Sequence, residues 1–287
     1  YDIKNDEKAE EYFLKAIKAD SLYSKAYYDL GRLSIEREEY EKSIKYYSKA
    51  IELDPEMATY YFYRTTPYEA LKMYTEAEQD YLKAIELNKE KEDYHLYLGN
   101  LYKDDLEEFE KAIAQYLEIL KFKPESAITI NNIGLTYLYD IKNDEKAEEY
   151  FLKAIKADSL YSRAYKSLGN LSNEREEYKK SIEYYSKAIE LDPENDYLYS
   201  FRTTPYEALK MYIEAELDYL KAIELDSEYY KYYIYLGDLY KNKLNAPEKA
   251  KNQYLLALST YDKKIAENPE NASYYHEKGR IYSEYLL

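Results

Sequence analysis

The 287-residue chain reads as an all-α solenoid of repeated helix pairs, on three observations. The segment YDIKNDEKAEEYFLKAIKADSLYS occupies 1–24 and returns unchanged at 139–162, so the chain carries a duplication offset by 138 residues. Inside it a shorter string recurs every 34 or 35 residues: YYSKAIELDPE at Tyr46–Glu56, DYLKAIELNKE at Asp80–Glu90, QYLEILKFKPE at Gln115–Glu125 and YFLKAIKADSL at Tyr150–Leu160. Each period also shows helical spacing twice. Tyr27, Leu30 and Leu33 fall at i, i+3 and i+6, and Tyr40, Ile44, Tyr47 and Ile51 at i, i+4, i+7 and i+11.

The elements follow in order. The first helix of the period 24–57 carries Leu30-Gly31, a small residue that lets a partner helix approach, and Ala50 does the same on the second helix. Asp54-Pro55 ends the second helix, because a residue before proline is pushed out of the α conformation. Equivalents of Leu30-Gly31 stand at Leu98-Gly99, Ile133-Gly134, Leu168-Gly169, Leu236-Gly237 and Lys278-Gly279. The expected full repeats are 24–57, 58–91, 92–126, 127–161, 162–195, 196–229 and 230–271. Residues 1–23 read as a lone second helix and 272–287 as a lone first helix. The repeat 230–271 carries a seven-residue excess, about two helical turns, which predicts a lengthened second helix near Leu255–Glu267. A solenoid hides its end faces under polar caps, and neither half repeat is one. With Tyr1 in place of an initiating Met, the expectation is a segment of a longer array. Its half repeats would complement each other head to tail between copies.

The string RTTPYEALKMY stands at Arg64–Tyr74 and again at Arg202–Tyr212. A proline inside a helix removes one hydrogen bond and costs about 3 kcal/mol. Thr66-Pro67-Tyr68-Glu69 is also a helix-start signature. Together these predict kinked first helices in 58–91 and 196–229, pivoting at Thr66 and Thr204, with the carbonyl of Tyr63 left free.

Composition narrows the function. The formal charge of −16 disfavours phosphate backbones and acidic membrane surfaces, and it steers a basic partner inward. No cysteine is present, so disulfides, thiolate zinc sites and cysteine nucleophiles are excluded from this segment. No run approaches the roughly 20 apolar residues of a membrane span. Tyrosine supplies 43 residues against 6 phenylalanines and no tryptophan. Lys, Ile and Tyr share A/T-rich codons, so the number alone assigns no role. Still, a hydroxyl that needs water or a partner suits thin layers whose rings reach the surface.

This pattern resembles the tetratricopeptide repeat, a 34-residue helix–turn–helix. The family has apolar residues at positions 4, 7 and 11, a small residue at 8, Ala at 20, an aromatic at 24, Ala at 27 and Pro at 32. In 24–57 these are Tyr27, Leu30, Ser34, Gly31, Ser43, Tyr47, Ala50 and Pro55, with Ser34 and Ser43 departing mildly. The resemblance implies antiparallel helix pairs stacked into a right-handed superhelix. First helices would line a concave groove with positions 2, 5, 6, 9 and 12. The two copies support that assignment. Residues 24–57 and 162–195 differ at Lys25/Arg163, Tyr28/Lys166, Asp29/Ser167, Arg32/Asn170 and Ile35/Asn173, which are those five positions, and otherwise only at three others.

Position 6 supplies Tyr63, Tyr97, Asn132, Phe201 and Tyr235, an aromatic and polar lining suited to a peptide. Protein N-acetylglucosamine transferase resembles this array but carries an asparagine ladder there, matched only by Asn132. Co-chaperones of the family grip a C-terminal carboxylate with Lys and Asn side chains. Lys166, Asn170 and Lys231 match that device, while Phe201 and Tyr235 stand where it needs Asn and Arg. The expected groove residues are therefore Tyr63, Tyr97, Asn132, Lys166, Asn170, Phe201, Lys231 and Tyr235. Catalysis has little to build on. His95 falls at a packing position and His276 at a groove position in a distant repeat, and no glycine-rich phosphate cradle exists. The expectation is a non-catalytic scaffold for a protein or peptide, with no cofactor or metal. The alternative is the substrate-recognition arm of a larger enzyme such as a glycosyltransferase.

Overall fold

The computed structural model describes residues 3–286, with side chains from Asp6 to Tyr285; Tyr1, Asp2 and Leu287, the outer ends of the expected half repeats, lie outside the described residues. The described residues form helices in consecutive pairs, without strands. They fall into two compact units, 1–141 and 142–287. The first unit holds α1 (Ile3–Ala19), α2 (Ser24–Glu36), α3 (Tyr40–Leu53), α4 (Ala58–Ala70), α5 (Tyr74–Leu87), α6 (Glu92–Asn100), α7 (Phe109–Phe122) and α8 (Ala127–Leu135). The second holds α9 (Asp144–Ala157), α10 (Ser162–Glu174), α11 (Tyr178–Leu191), α12 (Asp196–Ala208), α13 (Tyr212–Leu225), α14 (Tyr230–Asn242), α15 (Pro247–Glu267) and α16 (Ala272–Ile281).

Gly31, Gly99, Gly169 and Gly237, each on a first helix, make room for a tyrosine of the following helix. A Cβ added at Gly31 would stand 2.8 Å from the Tyr47 ring, and one at Gly169 would stand 2.8 Å from the ring of Tyr185. Those rings are almost wholly buried, and a buried aromatic of this size contributes on the order of 1.5–3 kcal/mol. The serines at position 20 also find their reason. Ser43 donates to the Gly31 carbonyl at 2.8 Å and Ser181 to the Gly169 carbonyl at 2.9 Å, bonds an alanine could not make.

The 35-residue spacing has a local cause. α6 continues into a π-helical turn, Leu101–Asp105, in which the amide of Leu106 donates to the carbonyl of Leu101. The extra residue is absorbed there, as it is in the turn Thr136–Ile141 after α8. The seven-residue excess appears where it was expected: α15 has 21 residues, against 14 in α11 and α13.

The helix-start signature at Thr66 and Thr204 does not divide the first helices. α4 and α12 run unbroken through Pro67 and Pro205, so neither threonine starts a new helix. The reason is position. Pro67 lies in the last turns of its helix, so one backbone bond is lost close to an end, and its ring is buried as an apolar group. The end itself is tied down: Met73 N donates to Tyr68 O at 2.8 Å and Lys72 N to Glu69 O at 2.9 Å. This is the Schellman pattern, which requires a left-handed residue after the cap. That residue is Lys72, at φ 58°. Glu38, Glu176 and Lys210 hold the same place after α2, α10 and α12, at φ 59°, 59° and 60°.

Candidate functional site

The buried tyrosines of the second helices point their hydroxyls toward the first-helix face, and position 9 decides what they meet. Tyr116 donates to Asn100 Oδ1 at 2.7 Å, Tyr185 to Asn170 Oδ1 at 2.7 Å and Tyr254 to Asp238 Oδ1 at 2.9 Å. In the RTTP helices the acceptor is instead a glutamate, Glu69 for Tyr81 at 2.6 Å and Glu207 for Tyr219 at 2.9 Å. Asn170, expected as a ligand-gripping amide, thus serves as an internal acceptor. Its counterpart in the first copy is Arg32, which cannot accept, and the Tyr47 hydroxyl is buried without a partner. Replacing Arg32 with asparagine is expected to stabilise the chain by about 1 kcal/mol, read as a higher urea midpoint; an unchanged or lower midpoint would refute the pairing.

The string RTTPYEALKMY owes its first residue to a buried ion pair that local reading missed. Arg64 takes position 7, normally apolar, and is only 16% exposed. Its Nε and Nη2 donate to the two carboxylate oxygens of Asp80 at 2.7 and 2.8 Å, and its Nη1 donates to Ser48 Oγ at 2.8 Å. One side chain on α4 thereby joins α3 and α5. Arg202, Asp218 and Ser186 repeat the arrangement in the second unit. Burial pushes the Asp80 carboxyl up, against the pull of the Arg64 fork. The pair therefore sits where desolvation offsets much of the attraction. The signal was present in the sequence as an arginine at a packing position with an aspartate 16 residues later, in both copies.

The first-helix face of the first unit is aromatic. Tyr28, Tyr63, Phe62 and Tyr97 form a run with ring centroids 5.5, 5.4 and 5.4 Å apart, each pair close to edge-on. Tyr63 and Tyr97 are exposed. The Tyr28 hydroxyl is pushed up to about 12, first by burial and then by Tyr63. Asn132, on α8, is half-buried and lies outside this run.

In the second unit the face is mixed. Lys166 is half-buried and its Nζ lies over the Phe201 ring, 5.4 Å from the centroid. Its pKa is lowered by burial and then by Arg163. Phe201 also stacks on Tyr185, with centroids 6.3 Å apart. Lys231 is exposed and lies over Tyr229, while Tyr235 packs against Tyr219. The expected clamp members Lys166 and Asn170 therefore sit one turn apart on α10, each already engaged with an aromatic side chain.

His95 is buried, with its ring nitrogens bonded to Gln115 Oε1 at 2.9 Å and the Lys89 carbonyl at 3.0 Å, and His276 is exposed. Among the described residues no cluster of three metal-ligating side chains occurs, and no helix is long and apolar enough to cross a membrane.

Two tetratricopeptide repeat models match the sequence, one at residues 24–57 and 162–195, the other at 68–91 and 127–159, and a Sel1 repeat model matches 3–21. No curated protein sequence matches the chain. Several solved structures are similar. MamA is 25% identical with a TM-score of 0.52, over 59% of this chain and 97% of that one. A tetratricopeptide repeat protein from Parabacteroides merdae is 18% identical with a TM-score of 0.60, over 91% and 99%. YrrB, described as a TPR protein with an unusual peptide-binding site, is 23% identical with a TM-score of 0.50, over 69% and 97%.

Proposed function

The chain belongs to the tetratricopeptide repeat family, and from that premise we propose that it is a non-catalytic protein-interaction scaffold, holding a peptide or partner protein against a groove lined by its first helices. One observation carries the reading. The aromatic residues that pack against the first-helix small residue, such as Tyr47, Tyr81 and Tyr116, are buried, whereas Tyr63, Tyr97, Phe201 and Tyr235 at position 6 of first helices are exposed. Large rings left in water on one face are a feature of docking surfaces. The described peptide-binding site of YrrB, on a similar fold, is consistent with this.

The test is affinity capture with the full chain, repeated with Tyr63→Ala, Tyr235→Ala and Lys166→Glu. These side chains lie on the first-helix face, so far-ultraviolet circular dichroism is expected to stay unchanged. Captured partners are expected to be lost from at least one variant. Identical capture by all three would remove the groove reading.

A further inference from the structure

In the second unit one exposed ring of the first-helix face, Phe201, comes with a lysine from the chain itself, and a second lysine lies over the residue that caps α14. Lys166 lies over Phe201. Lys231 lies over Tyr229, and its pKa is raised first by Tyr229, then by Tyr230 and Tyr235. The first unit contains the other copy of this sequence, 138 residues earlier, and both lysines are missing from it. Tyr28 stands in place of Lys166 and Asp93 in place of Lys231. The rings are kept, with Tyr63 equivalent to Phe201 and Tyr97 to Tyr235. Among the described residues, no cation of the chain lies over Tyr63 or Tyr97.

Asp93 precedes Tyr97 by four residues on α6, so the carboxylate and the ring share one helix face. Its partner is Lys91, at 2.9 Å, and both side chains are about half exposed. Such a surface pair is weak and exchangeable. Lys91 also acts on Tyr63. Of the remaining cations near the aromatic run, Arg32 acts on Tyr28 and Asp29, and Lys25 acts on Asp29.

We propose that the first-helix face formed by α4 and α6 is a cation-binding site, taking a Lys or Arg side chain of a partner segment across Tyr63 and Tyr97 with Asp93 as its counter-charge. The proposal rests on the first-helix face being the docking surface, and it names the chemistry of what docks there. Charge complementarity supports it at two scales. Locally, a ring face and a carboxylate both attract a cation. Globally, a chain of net charge −16 draws a basic segment inward. The second unit shows on equivalent backbone that a ring at this position accepts a cation, Lys166 over Phe201; in the first unit Tyr28 takes that place, edge-on to Tyr63, and leaves the exposed parts of Tyr63 and Tyr97 uncovered.

The experiment uses the full chain and fluorescence anisotropy with a labelled, end-capped peptide of alternating Arg and Ala. Capped Glu–Ala and Pro–Ala peptides serve as comparators. The Arg–Ala peptide is expected to bind more tightly than either comparator. Tyr63→Leu combined with Tyr97→Leu, which leaves net charge unchanged, is expected to weaken it about tenfold. Tyr28→Lys combined with Asp93→Lys, residues that the second copy already carries, is expected to block the site. Lys166→Tyr combined with Lys231→Asp is expected to add a second one. Arg–Ala binding that ignores the Leu substitutions would be charge attraction alone and would overturn the proposal. Tyr63-dependent binding of a comparator but not of Arg–Ala would leave the groove standing and remove the cation assignment. Failure of all three peptides would count against both.

Discussion

Replacing Asp80 with alanine is expected to lower the stability of the chain by about 3–5 kcal/mol. The size follows from what is left behind: a guanidinium only 16% exposed, with two of its three hydrogen bonds gone. Asp218→Ala should cost as much, since Arg202 is held identically. The charge pair itself need not be stabilising. Removing both partners together, as Arg64→Leu with Asp80→Leu, restores an apolar residue to position 7 and is expected to lie within about 1 kcal/mol of the parent, or above it. Urea denaturation of the single and double variants, analysed as a double-mutant cycle, measures the difference. A single variant as stable as the parent would mean that Arg64 finds another partner.

Glycine at Glu38, Lys72, Glu176 and Lys210 together is expected to raise stability by about 2–4 kcal/mol. Each residue closes a Schellman turn with positive φ, a region that disfavours side chains. Escaping that penalty gains roughly 1–2 kcal/mol per site, and the greater freedom of glycine in the unfolded chain returns about half. The four sites lie in separate turns and share no partners, so their effects should add. The thermal midpoint of the quadruple variant should exceed that of any single one. A midpoint below the parent would show that these side chains make contacts worth more than the strain.

Much of the fold was legible because it is periodic. The 34-residue spacing located helix pairs, and the displaced Pro269–Gly279 interval located the long α15. What stayed hidden depends on distance across helices. Arg64 and Asp80 lie on different helices, and each alone looks like a surface charge. The helix-start signature misled for the converse reason: Thr66-Pro67 is a local string, and the residues around it continue one helix to Ala70. At the candidate site, sequence placed Tyr63 and Tyr97 on first helices of one unit and Phe201 and Tyr235 on first helices of the other, and all four rings are exposed. It could not foresee that Asn170 would turn its carbonyl to Tyr185, because that needs the ring to be in place.

The length of α15 carries a consequence for how such a chain can vary. Seven added residues turn a helix by about 700°, within roughly 20° of two complete revolutions. Tyr254 and Tyr261, seven apart, are accordingly both buried. The ring of Tyr254 lies against Gly237 and that of Tyr261 against Tyr230. An insertion of six or five residues would have swung the second ring toward water and brought Asp262 or Lys263 to the interior in its place. Growth of a second helix is therefore filtered by phase: insertions near whole numbers of turns pass unnoticed by the neighbouring helices, and intermediate lengths are rejected by packing.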